Sequence, residues 1–102
     1  MSLPPLSHLQ YAVLDILGHR ELSGREVREA LKSRKISKSG PAFYQLMSRM
    51  EDSKFIDGRY EEKIIQGQRI KERRYFMKGE GAKALAATVG FYAQKGESYG
   101  LL

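Results

Sequence analysis

The stretch from residue 39 to residue 51, SGPAFYQLMSRME, predicts the helix on which the fold depends. Four of its apolar side chains recur at i, i+3, i+4 and i+7, the spacing of a helical stripe that packs on a core. They are Phe43, Leu46, Met47 and Met50. Pro41 suits the first helical position, where its missing N–H would be unpaired in any case. We therefore expect a helix over about 41–53.

The opposite face of this helix carries side chains that could recognise a nucleic acid. Arg49 has the fork geometry to bind guanine or a phosphate, and Gln45 has the amide geometry for adenine. Ser39 and Ser48 can donate to phosphates or base edges, and Tyr44 can pack on a sugar or donate its hydroxyl. Gln45 could also be an ordinary exposed residue of a surface helix, and the Tyr44 ring could instead cap the core. Arg49 could be a surface residue paired with Asp15, Glu51 or Asp52.

Two more helices are predicted before this stretch. Ser23-Gly24-Arg25-Glu26 matches a capping box and predicts a second helix over about 23–34. Ser7 is a suitable N-cap for a first helix over about 7–18, which Gly18 would end. Pro4-Pro5 predicts an extended N-terminal arm over residues 1–6.

A β-hairpin and a last helix are predicted after it. Residues 59–65 and 69–77 are rich in β-branched and aromatic side chains and flank Gln66-Gly67-Gln68, which favours two strands joined by a tight loop. An apolar stripe then predicts a helix over about 80–95, followed by a flexible tail over 96–102.

Three helices, a hairpin and a fourth helix form the order of a winged helix-turn-helix domain, a mainly α fold with a small β component. The domain would cover residues 7–95, with the hairpin as the wing. The second helix of the helix-turn-helix would enter the major groove of DNA.

Composition excludes several other classes of protein. The chain has 102 residues, 18 Lys and Arg against 12 Asp and Glu, a net charge of +6 and no cysteine. The absence of cysteine excludes a disulfide scaffold or a thiolate metal site, and it suits a cytoplasmic protein. We find no secretory signal and no apolar run long enough to span a membrane. No catalytic constellation is recognisable, so we expect neither an enzyme nor a metal site nor a cofactor.

The positive charge is concentrated beside the predicted recognition helix. No acidic residue occurs from position 30 to position 50, and positions 63–78 contain six basic residues against one acid. This distribution is typical of a DNA-binding surface. The predicted DNA contacts are Lys35, Lys38, Ser39, Tyr44, Gln45, Ser48, Arg49, Lys71, Arg73 and Arg74.

The sequence also resembles the PadR-like family of bacterial winged-helix regulators over about residues 9–85. Residues 42–51, AFYQLMSRME, are similar to the family's T-L-Y-x-x-L-x-R-L-E helix, and RRYFM at 73–77 followed by Gly81 is similar to its wing exit. Two positions depart from the pattern. Lys54 stands where the family usually has glycine, so the helix end would be strained or closed differently. Lys78 replaces a usual threonine, so the last helix would lose its N-cap hydroxyl.

The resemblance implies a homodimer that usually represses transcription from a pseudo-palindromic site. It assigns the subunit interface to the first and last helices, with Leu9, Val13, Leu85, Val89 and Tyr92 as the expected contacts. Some relatives are released from DNA by small aromatic or cationic ligands. Because only one short helix follows the wing, an effector of this chain would have to bind between the subunits.

Two alternatives remain open from the sequence. A winged helix can serve as a protein-interaction module without binding DNA, and basic residues scattered evenly over the fold would favour that function. Tyr60, Tyr75 and Phe76 lie beside basic residues and could stack on the bases of single-stranded DNA or RNA.

Overall fold

The computed structural model describes residues 5–98 of the chain. Within them the helices are α1 (His8–Leu17), α2 (Gly24–Ser33), α3 (Gly40–Asp52) and α4 (Gly79–Ser98), and the strands are β1 (Leu22–Ser23), β2 (Ile56–Ile65) and β3 (Gln68–Met77). This order confirms the predicted winged helix. Helix α4 continues three residues past its predicted end, so 96–98 are helical. The rest of the predicted tail and residues 1–4 of the predicted arm lie outside the described residues.

Serine side chains begin the first three helices. The Ser7 hydroxyl accepts from the Gln10 amide at 3.2 Å, and the Ser23 hydroxyl accepts from the Glu26 amide at 3.1 Å. Gln10 and Glu26 accept in return from the backbone of the two serines, which completes a capping box at each helix. At α3 the Ser39 hydroxyl accepts from the Ala42 amide at 3.3 Å.

The three strands form one antiparallel sheet in the order β1-β3-β2. Strand β1 was not predicted, because two residues are too few to show a periodicity; it exists because Leu22 pairs with Tyr75 of β3. The wing turn is shorter than predicted. Gln66 and Gly67 alone connect the strands, with φ angles of 52° and 77°, and positive values at both positions are those of a type I′ turn.

The stripes of α1, α2 and α3 meet in one core with the first residue of β2. Its largest fully buried side chains include Leu14, Leu31, Phe43, Met47 and Ile56. Val13 is also fully buried, at 0% exposure, inside its own domain. The prediction that Val13 contacts a second subunit is therefore wrong, because the core of the domain already covers this side of α1.

The end of α3 has the strain that the departure at position 54 suggested. Lys54 adopts a φ of 63°, in the left-handed region that favours glycine. Its amide donates to the Glu51 carbonyl at 2.9 Å, and the Phe55 amide donates to the Met50 carbonyl at 3.0 Å. These bonds close the helix and turn the chain directly into β2, so the helix terminates in the usual way with an unusual residue.

Candidate nucleic-acid interface

Helix α3 buries one face and exposes the other. Phe43, Met47 and Met50 are fully buried, which turns the four predicted recognition residues to solvent. These residues are Tyr44, Gln45, Ser48 and Arg49. Among the described residues none forms an ion pair with Arg49, so its predicted alternative pairing with Asp15, Glu51 or Asp52 is absent there.

Tyr44 has both a packing contact and an exposed surface. Its ring meets Phe43 edge-on at 5.0 Å between centroids, and 45% of the residue is exposed. The ring also lies on Gly24, where an added Cβ would fall 2.8 Å from the Tyr44 hydroxyl oxygen. Gly24 therefore lets the start of α2 approach α3 closely, and this contact fixes the position of Tyr44 on the exposed face.

Basic side chains also line a shallow cleft between α2 and the connection to α3. The cleft has a volume of about 270 Å³, and its charged residues are Arg25, Arg28, Glu29, Lys32 and Lys38. Arg28 donates to the Lys38 carbonyl at 3.3 Å, with its guanidinium 5.9 Å from the Phe43 ring centroid. The predicted contact set omitted Arg28, although the charged face of the second helix was visible in the sequence.

The wing presents two chemically different faces, because successive residues of a strand point to opposite sides. One face carries Tyr60, Lys71 and Arg73, and it borders a groove of about 470 Å³ whose other wall includes Tyr44 and Ser48 of α3. Two cations lie close to the Tyr60 ring: its centroid is 4.8 Å from the Lys71 Nζ and 4.6 Å from the Arg73 guanidinium carbon. The groove thus joins the recognition helix to the predicted wing contacts.

Arg73 is held inside this groove by a carboxylate of α3. Its guanidinium forms an ion pair and hydrogen bond with Glu51, and the two side chains are only 25% and 22% exposed. The hydrogen bond to Glu51 raises the pKa of Arg73 further above its ordinary value. Gly58 makes room for the pair, since an added Cβ would lie 2.7 Å from the Glu51 Oε1 and 2.8 Å from the Arg73 Nε.

Arg74 points to the opposite face of the wing and is surrounded by acids. Its Nε lies 3.1 Å from the Glu21 Oε1 and 3.2 Å from the Glu61 Oε2, and its Nη2 donates to the Glu21 carbonyl at 3.1 Å. Glu26 and Glu72 are each 3.8 Å from its Nη1. The prediction that Arg74 binds DNA beside Arg73 is corrected here, because its side chain is only 17% exposed and faces away from the groove.

The wing aromatics are not a continuous stacking surface. Tyr75 is buried, at 3% exposure, and pairs across the sheet with Gly58 and Leu22. Burial, together with the nearby Glu51 carboxylate, raises the pKa of Tyr75 to about 12. Phe76 is half-buried, so Tyr60 is the one exposed member of the predicted trio. This arrangement does not support the single-strand alternative.

Among residues 5–93, seven of the ten cations that form no ion pair lie on α2, the α2–α3 connection, α3 or the wing, and the other three are Arg20, Lys54 and Lys78. Within residues 5–93, ion pairs engage seven of the basic residues, among them Arg34, Arg59, Arg73 and Arg74. Seven of the other basic residues lie on α2, the α2–α3 connection, α3 or the wing, and they form no ion pair within the described residues. They are Arg28, Lys32, Lys35, Lys38, Arg49, Arg69 and Lys71. Lys35 has a φ of 63° and an exposed side chain. Arg69 was missing from the predicted contacts, although it shares a wing face with Lys71.

The predicted subunit contacts differ in how much of each residue is exposed. Val89 and Tyr92 of α4 are 49% and 54% exposed, whereas Leu9 and Leu85 are half-buried against the core. Tyr92 meets Phe91 edge-on at 5.3 Å between ring centroids. The exposed apolar surface of α4 therefore lies toward its C-terminal half. No helix within residues 5–98 combines the length and apolarity needed to cross a membrane.

A helix-turn-helix of α2 and α3 followed by a two-stranded wing defines a winged-helix domain, and solved structures place it among PadR-like folds. The domain matches a PadR family transcription regulator from hypervirulent Clostridium difficile with a TM-score of 0.73 and 18% identity, over 91% of this chain and 98% of that one. It matches a PadR-like transcription factor from Bacteroides fragilis with a TM-score of 0.76 and 17% identity, over 90% and 86% of the two chains.

A third solved structure is Bacillus subtilis PadR in complex with operator DNA, with a TM-score of 0.66 and 26% identity. The match covers 78% of this chain, which spans 45% of the length of that PadR chain. No protein-family model matches the sequence, and no curated protein matches it either. The expected resemblance is confirmed: the chain has the PadR-like winged-helix fold, and these structural neighbours are transcription regulators, not enzymes.

Proposed function

We propose that this chain is a sequence-specific DNA-binding transcriptional regulator, a repressor that acts as a homodimer. The observation that carries the proposal is the cluster of cations without acidic partners around the exposed face of α3. Duplex DNA is a polyanion, and neutralising its phosphates supplies much of the affinity of such proteins. The clustering also disfavours the protein-interaction alternative, which an even scatter of charge would have supported.

Helix α3 would lie in the major groove and supply the selectivity. Arg49 would fork onto a guanine, and Gln45 would use its amide for an adenine. Ser48 and the N-cap Ser39 would donate to phosphates or base edges; the Ser39 oxygen accepts from Ala42, which leaves its O–H to donate. Tyr44 would pack on a sugar at the edge of the helix.

The phosphate contacts would come from both sides of α3. Lys35 and Lys38 precede the helix, and Lys71 projects from the wing beside Tyr60. We add Arg28 and Arg69, which share these surfaces, and we leave out Arg74 because carboxylates surround its guanidinium. The operator complex of Bacillus subtilis PadR supports the proposal as a structural precedent for DNA binding by this fold.

The subunits would meet through α4. Val89 and Tyr92 leave apolar surface uncovered, and the half-buried Leu9 and Leu85 would border the contact. A two-fold dimer would read a pseudo-palindromic site, and an effector site would lie between the subunits. Tyr92→Glu would place a charge in this contact and should shift the sedimentation equilibrium toward monomer. Lys83→Glu, at an exposed position of the same helix, should leave the association unchanged.

Selection of bound duplexes from a random library, followed by anisotropy titrations at several salt concentrations, tests the proposed function. We expect an enriched, approximately palindromic motif and an affinity that falls steeply with salt, by about 0.9 in the log–log slope for each phosphate neutralised. Lys71→Gln should lower that slope for every sequence alike. No enrichment, or an affinity that does not vary with salt, would refute DNA binding. Preference for single-stranded competitor would favour the stacking alternative instead.

A further inference from the structure

The two adjacent arginines of β3 hold the wing from opposite faces. Arg73 reaches Glu51, near the end of α3, whereas Arg74 reaches Glu21, just before β1. Arg74 also approaches Glu26 in the first turn of α2. One dipeptide therefore connects the wing to both helices of the helix-turn-helix.

The wing has few other attachments along its outer part. Strand β1 pairs with β3 only at Leu22–Tyr75 and Ser23–Arg74, so the hairpin beyond these positions has no third strand. An isolated two-stranded hairpin is marginal in water. Contacts made by Arg73 and Arg74 therefore lie where the supported part of the sheet ends and the free wing begins.

Both arginines are also poorly placed to bind phosphates themselves. Their side chains are 25% and 17% exposed, and each already has a carboxylate partner. Lys71, two residues away on the groove face, is exposed and has no ion pair among the described residues. Strand β3 thus carries one cation that is available to DNA, Lys71, and two that are already paired within the protein, Arg73 and Arg74.

We propose that Arg73 and Arg74 are positioning residues: they form a two-sided clamp that fixes the wing relative to α3, and they support DNA affinity through this geometry instead of through phosphate contacts. This inference rests on the proposed function. A fixed wing keeps Lys71 and Tyr60 on the groove beside Tyr44, so the surface is organised before DNA arrives.

Glu51→Gln gives opposite results for a clamp and for a phosphate ligand. If Arg73 binds a phosphate, Glu51→Gln should strengthen DNA binding for two reasons. It removes a negative charge near the DNA, and it frees Arg73 from its carboxylate partner. The clamp instead predicts binding about tenfold weaker, because the wing loses its fixed position. Glu62→Gln is the matched control: it removes the same charge from an exposed acid on the same wing face, and it should not weaken binding.

Two further variants separate geometry from charge. Gly58→Ala changes no charge, but its Cβ would displace the Glu51–Arg73 pair, so the clamp predicts the same loss as Glu51→Gln. Arg74→Gln should weaken binding while keeping the salt slope of the wild-type protein. Lys71→Gln should lower that slope by about 1.8 for the dimer, if the Lys71 side chain of each subunit neutralises one phosphate.

A distance measurement without DNA keeps the test independent of the proposed function. The chain has no cysteine, so spin labels can be placed on cysteines introduced at Gln66, in the wing turn, and Ser33, at the end of α2. With labelled protein diluted in unlabelled protein, Glu51→Gln should broaden the distance distribution and Glu62→Gln should not. The binding titrations use the duplex enriched from the random library.

Tighter binding by Glu51→Gln, an unchanged distance distribution, or a salt slope of Arg74→Gln as low as that of Lys71→Gln would overturn the clamp. Wild-type protein that binds no duplex would refute the proposed function alone. The distance distributions would then still decide whether the two arginines fix the wing.

Discussion

Lys54→Gly should stabilise the protein, because Lys54 is held in a conformation that side chains disfavour. Its φ is 63°, and the left-handed region costs a residue with a Cβ about 1–2 kcal/mol. Glycine avoids that cost but loses more backbone entropy on folding, by roughly 0.5–1 kcal/mol. The net expected gain is about 0.5–1 kcal/mol, or a rise in Tm of roughly 2–8 °C for a domain of this size.

Urea denaturation followed by helical circular dichroism, at one fixed protein concentration, measures this gain. Lys54→Ala controls for loss of the lysine side chain and should give no gain, since alanine keeps the Cβ. Ser53→Gly is the matched backbone control: Ser53 has a φ of −79°, so glycine there should destabilise. If Lys54→Gly is no more stable than Lys54→Ala, the strain argument is wrong.

Other predictions test the packing of the domain. Gly81→Ala should destabilise the protein by about 3 kcal/mol in urea denaturation, since the added Cβ would lie 2.1 Å from the Phe55 carbonyl oxygen. Gly90→Ala, in an open position of α4, should instead stabilise the protein by about 0.5–1 kcal/mol. Ser23→Ala should cost about 1 kcal/mol by removing the α2 cap. Absorbance titration should show Tyr75 ionising with a pKa of about 12, and stability should fall from pH 10 to pH 12, because the folded state keeps a proton that the unfolded state releases.

The sequence predicted the elements whose signals are local. The N-cap at Ser7, the capping box at Ser23, the stripe of α3 and the glycine in the wing turn each depend on residues a few positions apart, and all are present. The departure at Lys54 was visible from the family resemblance, and the positive φ of this residue is the strain that the departure suggested. Fold class therefore followed from spacing and from the order of elements.

Features that depend on distant partners were not predictable in the same way. Strand β1 forms because Leu22 meets Tyr75, and Arg74 is removed from the DNA surface by Glu21, which lies 53 positions earlier. An apolar stripe in the sequence also does not show whether the core of the domain or a second subunit buries it. Val13 was for this reason assigned to a subunit interface instead of the core. The opposite directions of Arg73 and Arg74, by contrast, follow from strand alternation alone.

The most direct test of the account is the affinity of Arg49→Ala for the enriched duplex and for a scrambled duplex, compared with wild type by fluorescence anisotropy. Arg49 is exposed at the centre of the proposed surface and has no ion pair among the described residues. We predict that the variant loses about 1–3 kcal/mol per subunit on the enriched duplex and much less on the scrambled one, because each subunit loses a guanine contact. If the variant binds each duplex as tightly as the wild-type protein does, the assignment of α3 as the recognition helix is contradicted.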